Sequence, residues 1–125
     1  MIVIVCGGRD YTDMDGAFKA LDNLHTKLNF TQVVEGGARG ADFLGRCWAA
    51  KNRIPCKTYS ADWALHGRAA GMLRNKRMLE EGKPNLVVAF PGGRGTKNMI
   101  TIARQGGISV VVMPPNVTPL SEGTT

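Results

Sequence analysis

Short apolar runs alternate with segments of helical periodicity along most of this chain. Each run is rich in β-branched residues, which is typical of strands that are buried on both faces of a sheet. The predicted strands cover residues 2–6, 32–35, 56–59, 85–90 and 109–113. Because a helical segment separates each strand from the next, the pattern predicts an α/β fold, with a parallel sheet, helices on both faces and right-handed crossovers.

The helical segments carry apolar residues at intervals of three and four. The first covers residues 17–28 and follows Thr12 or Asp13, either of which can act as its N-cap. The second holds four apolar residues that we expect in the core: Phe43, Leu44, Cys47 and Trp48. Further helices are predicted over 72–81 and from about 96 to 105.

The length and composition predict one domain. A chain of 125 residues, 43% of them hydrophobic, can bury an ordinary core. We assign residues 1–113 to this domain and expect the polar, non-periodic residues 114–125 to form a loosely ordered tail.

No apolar run has the length of a membrane span or a signal-peptide core, which predicts a cytoplasmic protein without a membrane partner. Three cysteines without a C-x-x-C pair predict reduced thiols, and we expect neither a metal site nor a cofactor.

Three of the predicted strands run directly into glycine turns. The turn after the fourth strand, Phe90-Pro91-Gly92-Gly93-Arg94-Gly95-Thr96, leads into a helix. Glycines there let backbone N–H groups approach a ligand, and the helix dipole favours an anion. The alternative is a tight strand–helix connection without a ligand. The predicted phosphate-binding residues of this turn are Gly92, Gly93, Arg94, Gly95 and Thr96.

The turns after the first and second strands have a similar composition. They read Gly7-Gly8-Arg9-Asp10 and Gly36-Gly37-Ala38-Arg39-Gly40-Ala41-Asp42. Because the carboxyl ends of parallel strands share one edge, all three loops should converge on one crevice, the usual ligand site of an open α/β sheet. We therefore expect ligand contacts also from Gly7, Gly8, Arg9, Gly36, Gly37 and Arg39.

Residues 60–71 mix a carboxylate, an aromatic ring and an arginine between glycines. Together, Asp62, Trp63 and Arg68 are typical of a ligand-binding loop rather than of a regular helix or strand. We expect Arg68 to contact the ligand. The alternative is a surface loop with Trp63 packed beneath it.

The net charge is +6 and the pI is about 9.6, which favours polyanionic partners. Lys and Arg are scattered along the chain rather than clustered. We therefore expect a small anionic ligand, with nucleic acid as a secondary partner.

The order and spacing of these motifs resemble the SLOG superfamily, a Rossmann-like group that includes the LOG phosphoribohydrolases and the DNA-processing protein DprA. The glycine turns carry the resemblance, together with Ala61-Asp62-Trp63, Gly67-Arg68-Ala69-Ala70-Gly71 and Arg74-Asn75 with Met78. The small YspA-type branch is the most similar. The resemblance implies a three-layer Rossmann-like domain that binds a nucleoside monophosphate or an ADP-ribose-like ligand, with Asn75 in the site. Members often pair, which implies a homo-oligomer.

One position departs from the LOG pattern. LOG enzymes cleave the N-glycosidic bond of nucleoside monophosphates and carry P-G-G-x-G-T-x-x-E and an arginine in an R-K-x-x-M helix. Arg74 holds the arginine position, but Met99 holds that of the glutamate. A thioether neither stabilises an oxocarbenium-like centre nor exchanges a proton. We therefore expect a sensor or sequestering module or a weak hydrolase, with LOG-like hydrolysis as the alternative.

The second loop is similar to the S-G-x-A-R-G-I-D segment of DprA, which suggests single-stranded DNA binding, although a chain with eight aromatic residues offers few rings for stacking.

For hydrolysis, another carboxylate at the strand ends must replace the glutamate. Glu35 and Asp42 are typical structural residues at a strand end and a helix start. Asp10 and Asp62, with Arg74, therefore remain as catalytic candidates.

Overall fold

The computed structural model describes residues 1–114 of the chain. In chain order, its elements are β1 Ile2–Cys6, α1 Met14–Leu28, β2 Gln32–Glu35, α2 Ala41–Lys51, β3 Cys56–Thr58, α3 Trp63–His66, α4 Ala70–Gly82, β4 Leu86–Ala89, α5 Arg94–Gln105 and β5 Ser109–Val112. A 3₁₀ turn over Gly67–Ala69 joins α3 to α4. The strands lie within one residue of the predicted bounds at either end.

The five strands form one parallel sheet in the order β3-β2-β1-β4-β5. β1 is central, with Val3 opposite Val33 of β2 on one side and opposite Leu86 of β4 on the other. The order reverses beside β1, because β2 and β3 extend the sheet one way and β4 and β5 the other. This reversal opens a crevice at the carboxyl edge, where such sheets bind ligands.

Alternate residues of β1 enter two separate cores, as the two-residue period of a strand requires. Val3 and Val5 pack with α1 and α2, whereas Ile4 packs with Met78 of α4 and Met99 of α5. Helices therefore cover both faces, and the predicted three-layer parallel α/β fold is confirmed. Burial on both faces explains the nearly continuous apolar runs in the strands.

The segment 60–71 is more regular than its composition predicted. It contains the short helix α3, and α4 begins at Ala70 rather than at residue 72. The carboxylate of Asp62 accepts a hydrogen bond from the Leu65 amide (3.0 Å) and so caps α3. Trp63 is 48% exposed, which excludes the alternative in which its ring packs beneath the loop.

Two other expectations about helices are corrected. Phe43 is 45% exposed and not in the core, because Leu44 and Trp48 occupy the inward face of α2. The Arg46 guanidinium instead lies over the Phe43 ring. α5 begins at Arg94, two residues before the predicted start.

Within residues 1–114, no helix is both long and apolar enough to cross a bilayer. Across the same residues, no three His, Cys, Asp or Glu side chains form a group that could hold a metal ion. The predicted tail, apart from Pro114, lies outside the described residues.

Candidate functional site

The loops that follow β1, β2 and β4 meet beyond the carboxyl edge and are hydrogen-bonded through their backbones. The Gly8 amide donates to the Pro91 carbonyl oxygen (2.8 Å), and the Ala41 amide donates to the Gly8 carbonyl oxygen (3.1 Å). Gly8 thus joins the β4 loop on one side to the start of α2 on the other. The three glycine turns form one connected rim around the crevice.

Two glycines in this rim permit the close approach of the loops. Gly40 has a φ of 78°, and a Cβ there would overlap the Gly8 carbonyl oxygen. A Cβ at Gly92 would lie 2.6 Å from the Gly8 amide nitrogen. Neither position has space for a larger residue, so Gly40 and Gly92 hold the loops together rather than face the crevice.

Helix α5 opens onto the crevice with no side-chain cap. Its N-cap is Gly93, and a Cβ at Gly93 or Gly95 would meet no atom within 4 Å. Arg94 is exposed at the same end of the helix. Because the first N–H groups of a helix lack intrahelical acceptors, this end offers free donors and positive charge.

The crevice consists of two adjoining cavities. The first chamber, of about 390 Å³, lies between the β1 and β4 loops and α4. The second chamber, of about 370 Å³, lies beside the loop after β2 and residues 60–61. The residues that border both are Arg9, Ala38, Trp63 and Arg74. Each chamber is in the size range of small-ligand pockets.

Asp42 contributes a carboxylate to the first chamber. The residue is 6% exposed, and its Oδ2 accepts a hydrogen bond from the Ala38 amide (3.1 Å). Burial raises the pKa of Asp42 to about 6, although this hydrogen bond and the nearby Arg74 act in the opposite direction. The site therefore holds a carboxyl group that changes charge near neutral pH.

Arg74 extends from α4 to the wall between the chambers. Its guanidinium donates to the Gly36 carbonyl oxygen and, through Nε, to Oδ1 of Asn75 (3.0 Å). Burial is the main cause that lowers the pKa of Arg74, and Arg9 lowers it further, while Asp42 and Glu35 raise it. Arg74 thus has both a structural role at the β2 loop and a side exposed to ligand.

Asn75 fixes the start of α5 relative to α4. The residue is 4% exposed, and its Nδ2 donates to the Gly95 carbonyl oxygen (3.1 Å) and to Oδ1 of Asn98 (3.0 Å). Although Asn75 borders the first chamber, its amide is committed to these contacts. It therefore positions the β4 loop.

Glu35 shapes the β2 loop from beneath. It is fully buried at the end of β2, where Oε1 accepts a hydrogen bond from the Gly37 amide (2.7 Å) and Oε2 accepts one from the Thr58 hydroxyl. These contacts hold the Gly36-Gly37 turn against β3. A charged residue that ends an otherwise apolar strand is the sequence signal for such a role.

Most of the predicted ligand-binding and catalytic residues border a chamber. Gly7, Gly8, Asn75 and residues 93–96 border the first, Gly36, Gly37 and Arg39 border the second, and Arg9 and Arg74 border both. Four predicted residues border neither: Asp10, Asp62, Arg68 and Gly92.

The acidic candidates lie at different depths. The Asp10 side chain is 92% exposed and pairs with Arg39 (3.1 Å), and Asp62 caps α3. Met99, at the position of the LOG glutamate, is fully buried in the core beneath α5. Of the carboxylates of Asp10, Asp42 and Asp62, that of Asp42 borders a chamber.

The parallel sheet, its strand order and the crevice at its carboxyl edge define a Rossmann-like α/β protein. A family model described as "YspA, cpYpsA-related SLOG family" matches residues 1–66. The chain is also 38% identical over 117 residues to the "Gene 61 protein" of Mycobacterium phage D29, which covers 87% of this chain and 93% of that protein. The chain belongs to the YspA, cpYpsA-related SLOG family, as its motifs predicted.

Proposed function

We propose that this protein binds a nucleotide or a nucleotide-derived ligand, such as a nucleoside monophosphate or an ADP-ribose-like molecule, in the crevice. Membership of the SLOG family is consistent with such a ligand. The protein acts as a sensor or sequestering module in this proposal. Fast hydrolysis is not part of it.

The main support for the proposal is the start of α5, which has no side-chain cap and lies at the edge of a chamber bordered by three arginines. Residues 93–96, which include Arg94 at the start of α5, border the first chamber together with Arg9 and Arg74. A phosphate there accepts hydrogen bonds from helix N–H groups and is attracted by the helix dipole and the guanidinium groups. An anion also balances the like charges of Arg9 and Arg74.

Gly93→Val tests the position of the phosphate. A Cβ at Gly93 meets no atom within 4 Å, so a valine side chain there does not collide with the rest of the fold. The branched side chain would instead occupy space above the N–H groups of α5. We expect at least a tenfold lower affinity for nucleoside monophosphates by calorimetry, equivalent to about 1.4 kcal/mol.

The control for this experiment is the thermal unfolding of the variant. The proposal is supported if the variant without ligand has the melting temperature of the native protein, and if added ligand no longer raises that temperature. A folded Gly93→Val variant with the affinity of the native protein would contradict it.

Glycosidic hydrolysis is a second candidate, because the Asp42 carboxylate borders the same chamber as Arg74. A carboxyl group with a pKa of about 6 is suited to proton exchange near neutral pH. The buried thioether of Met99 supplies neither charge nor a proton, so we expect release of free base from nucleoside monophosphates to be slow or absent.

A chromatographic assay for free base tests this expectation. Rapid release by the native protein would contradict it. The variants Asp42→Asn, Asp10→Asn and Asp62→Asn would then identify the carboxylate that acts, provided that calorimetry shows retained binding.

A further inference from the structure

The two tryptophans of the described residues have opposite environments. Trp48 is fully buried, and its indole N–H donates to Oδ1 of Asp22 (2.8 Å). Trp63 is 48% exposed and borders both chambers. Among residues 1–114, it is the aromatic residue that lines the crevice, whose other walls combine glycines, charged groups and the side chains of Asn75 and Met78. An exposed aromatic ring beside charged side chains is a common feature of ligand sites.

The Trp63 ring is held in place by the elements on either side of it. Asp62 caps α3, the helix that begins with Trp63. On its other side, the ring lies next to the start of α4, where a Cβ added to Gly71 would be 3.5 Å from Cη2 of Trp63. The guanidinium of Arg9 lies over the ring, 5.3 Å from its centroid. One face of the indole is therefore covered by a side chain that also borders the first chamber and has no ion pair among the described residues.

Arg9 and Trp63 can exchange this contact for two better ones. A nucleotide brings a flat aromatic base and an anionic phosphate into the same chamber. Stacking of a base on an aromatic side chain is stronger than a cation–π contact at an exposed site, and an arginine binds a phosphate oxygen with charge-assisted hydrogen bonds. Ligand binding would thus replace the Arg9–Trp63 contact by a base on the ring and a phosphate on the guanidinium.

We infer that Trp63 is the base-recognition residue of the crevice, and that a bound nucleotide stacks its base on the indole in place of the Arg9 guanidinium. This inference rests on the proposed function, because it requires a phosphate near the start of α5. It adds that the ligand carries an aromatic base, so that a sugar phosphate without one binds more weakly.

The test compares four nucleoside 5′-monophosphates with ribose 5-phosphate by calorimetry, on the native protein and on Trp63→Leu. We expect the native protein to bind at least one nucleotide about tenfold or more tightly than ribose 5-phosphate. Trp63→Leu should reduce that preference to near unity by weakening the binding of the nucleotide. Trp63→Phe should retain part of it. Leu65→Ala is the matched control, because Leu65 lies in the same helix, is 71% exposed and borders neither chamber.

Tryptophan fluorescence supplies an independent readout. The nucleotide should quench the emission of the native protein, whereas Trp63→Leu, which retains Trp48, should show no quenching. If ribose 5-phosphate binds as tightly as every nucleotide, or if Trp63→Leu retains the nucleotide preference, the inference is wrong while the phosphate site stands. If neither kind of ligand binds the native protein, the proposed function fails as well.

Discussion

Asp42 is a carboxyl group whose charge opposes the stability of the fold. Burial raises its pKa from 3.8 to about 6, so the native state binds more protons than the unfolded chain between these values. The contribution of Asp42 to the free energy of unfolding is therefore greatest below pH 4 and decreases as the pH rises through 6. The positive charge of Arg74 reduces this effect on the pKa of Asp42, and the carboxylate of Glu35 increases it.

Asp42→Asn should remove this pH dependence, because the amide keeps an acceptor for the Ala38 N–H but does not ionise. Urea unfolding at pH 4.5 and 7.5 gives the difference in the free energy of unfolding between variant and native protein. We expect this difference to change in favour of the variant by about 2 kcal/mol between the two pH values. Titration of carboxylates that do not interact with Asp42 cancels in the comparison. An equal difference at both pH values would show that Asp42 titrates normally.

At the scale of elements, the helices α4 and α5 are joined by one buried amide. Asn75 contacts the Gly95 carbonyl oxygen and Asn98 and accepts a hydrogen bond from Arg74, so its loss affects both helices and the second loop. A buried side chain with several hydrogen bonds has a larger effect on stability than an exposed one.

Asn75→Ala should lower the free energy of unfolding by about 1 to 3 kcal/mol, because it leaves buried partners without a hydrogen bond. It should also weaken binding of nucleoside monophosphates, since the start of α5 loses its support. Asn98→Ala is the control, as it removes one of the contacts and keeps that to Gly95. Equal effects of the two substitutions on the urea midpoint would exclude a positioning role for Asn75.

The sequence predicted these elements well and the orientation of side chains poorly. The strands were predictable because burial on both faces requires continuous β-branched runs, and the loops because glycine permits the contacts made at Gly40 and Gly92. Exposure of Phe43 and Trp63 depends on which side of a helix packs inward. A short helix such as α3, which a single capping carboxylate stabilises, leaves little periodic signal.

The choice among carboxylates shows the same limit. Asp10 and Asp42 both follow strands, yet Asp10 points to solvent while Asp42 borders the first chamber. The difference arises because the start of α2 is hydrogen-bonded to Gly8, a contact between residues distant in sequence. No local pattern contains that information.

At the scale of the whole molecule, the positive charge is distributed over several elements. Arg46 on α2, Arg77 on α4 and Arg104 on α5 are exposed and lie outside the two chambers. Such a distribution attracts polyanions without selecting one, and its effect is screened by salt.

Binding of single-stranded DNA should therefore be weak and strongly dependent on salt. For three or more phosphate contacts, we expect the affinity to fall about tenfold or more between 50 and 200 mM salt. Fluorescence anisotropy with a labelled oligonucleotide measures this decrease. Tight binding at physiological salt that nucleoside monophosphates compete poorly would instead favour the DprA-like alternative.

The central position of β1 also determines when the crevice can form during synthesis. β1 is made before the other strands of the sheet, but one of its neighbours is β4, with Val3 opposite Leu86 and Cys6 opposite Ala89. Pairs so distant in sequence close late, because a long loop must be ordered before the contact is gained. The nascent chain therefore has no complete crevice until the start of α5 has been made, and a ligand can stabilise the crevice only from that point on.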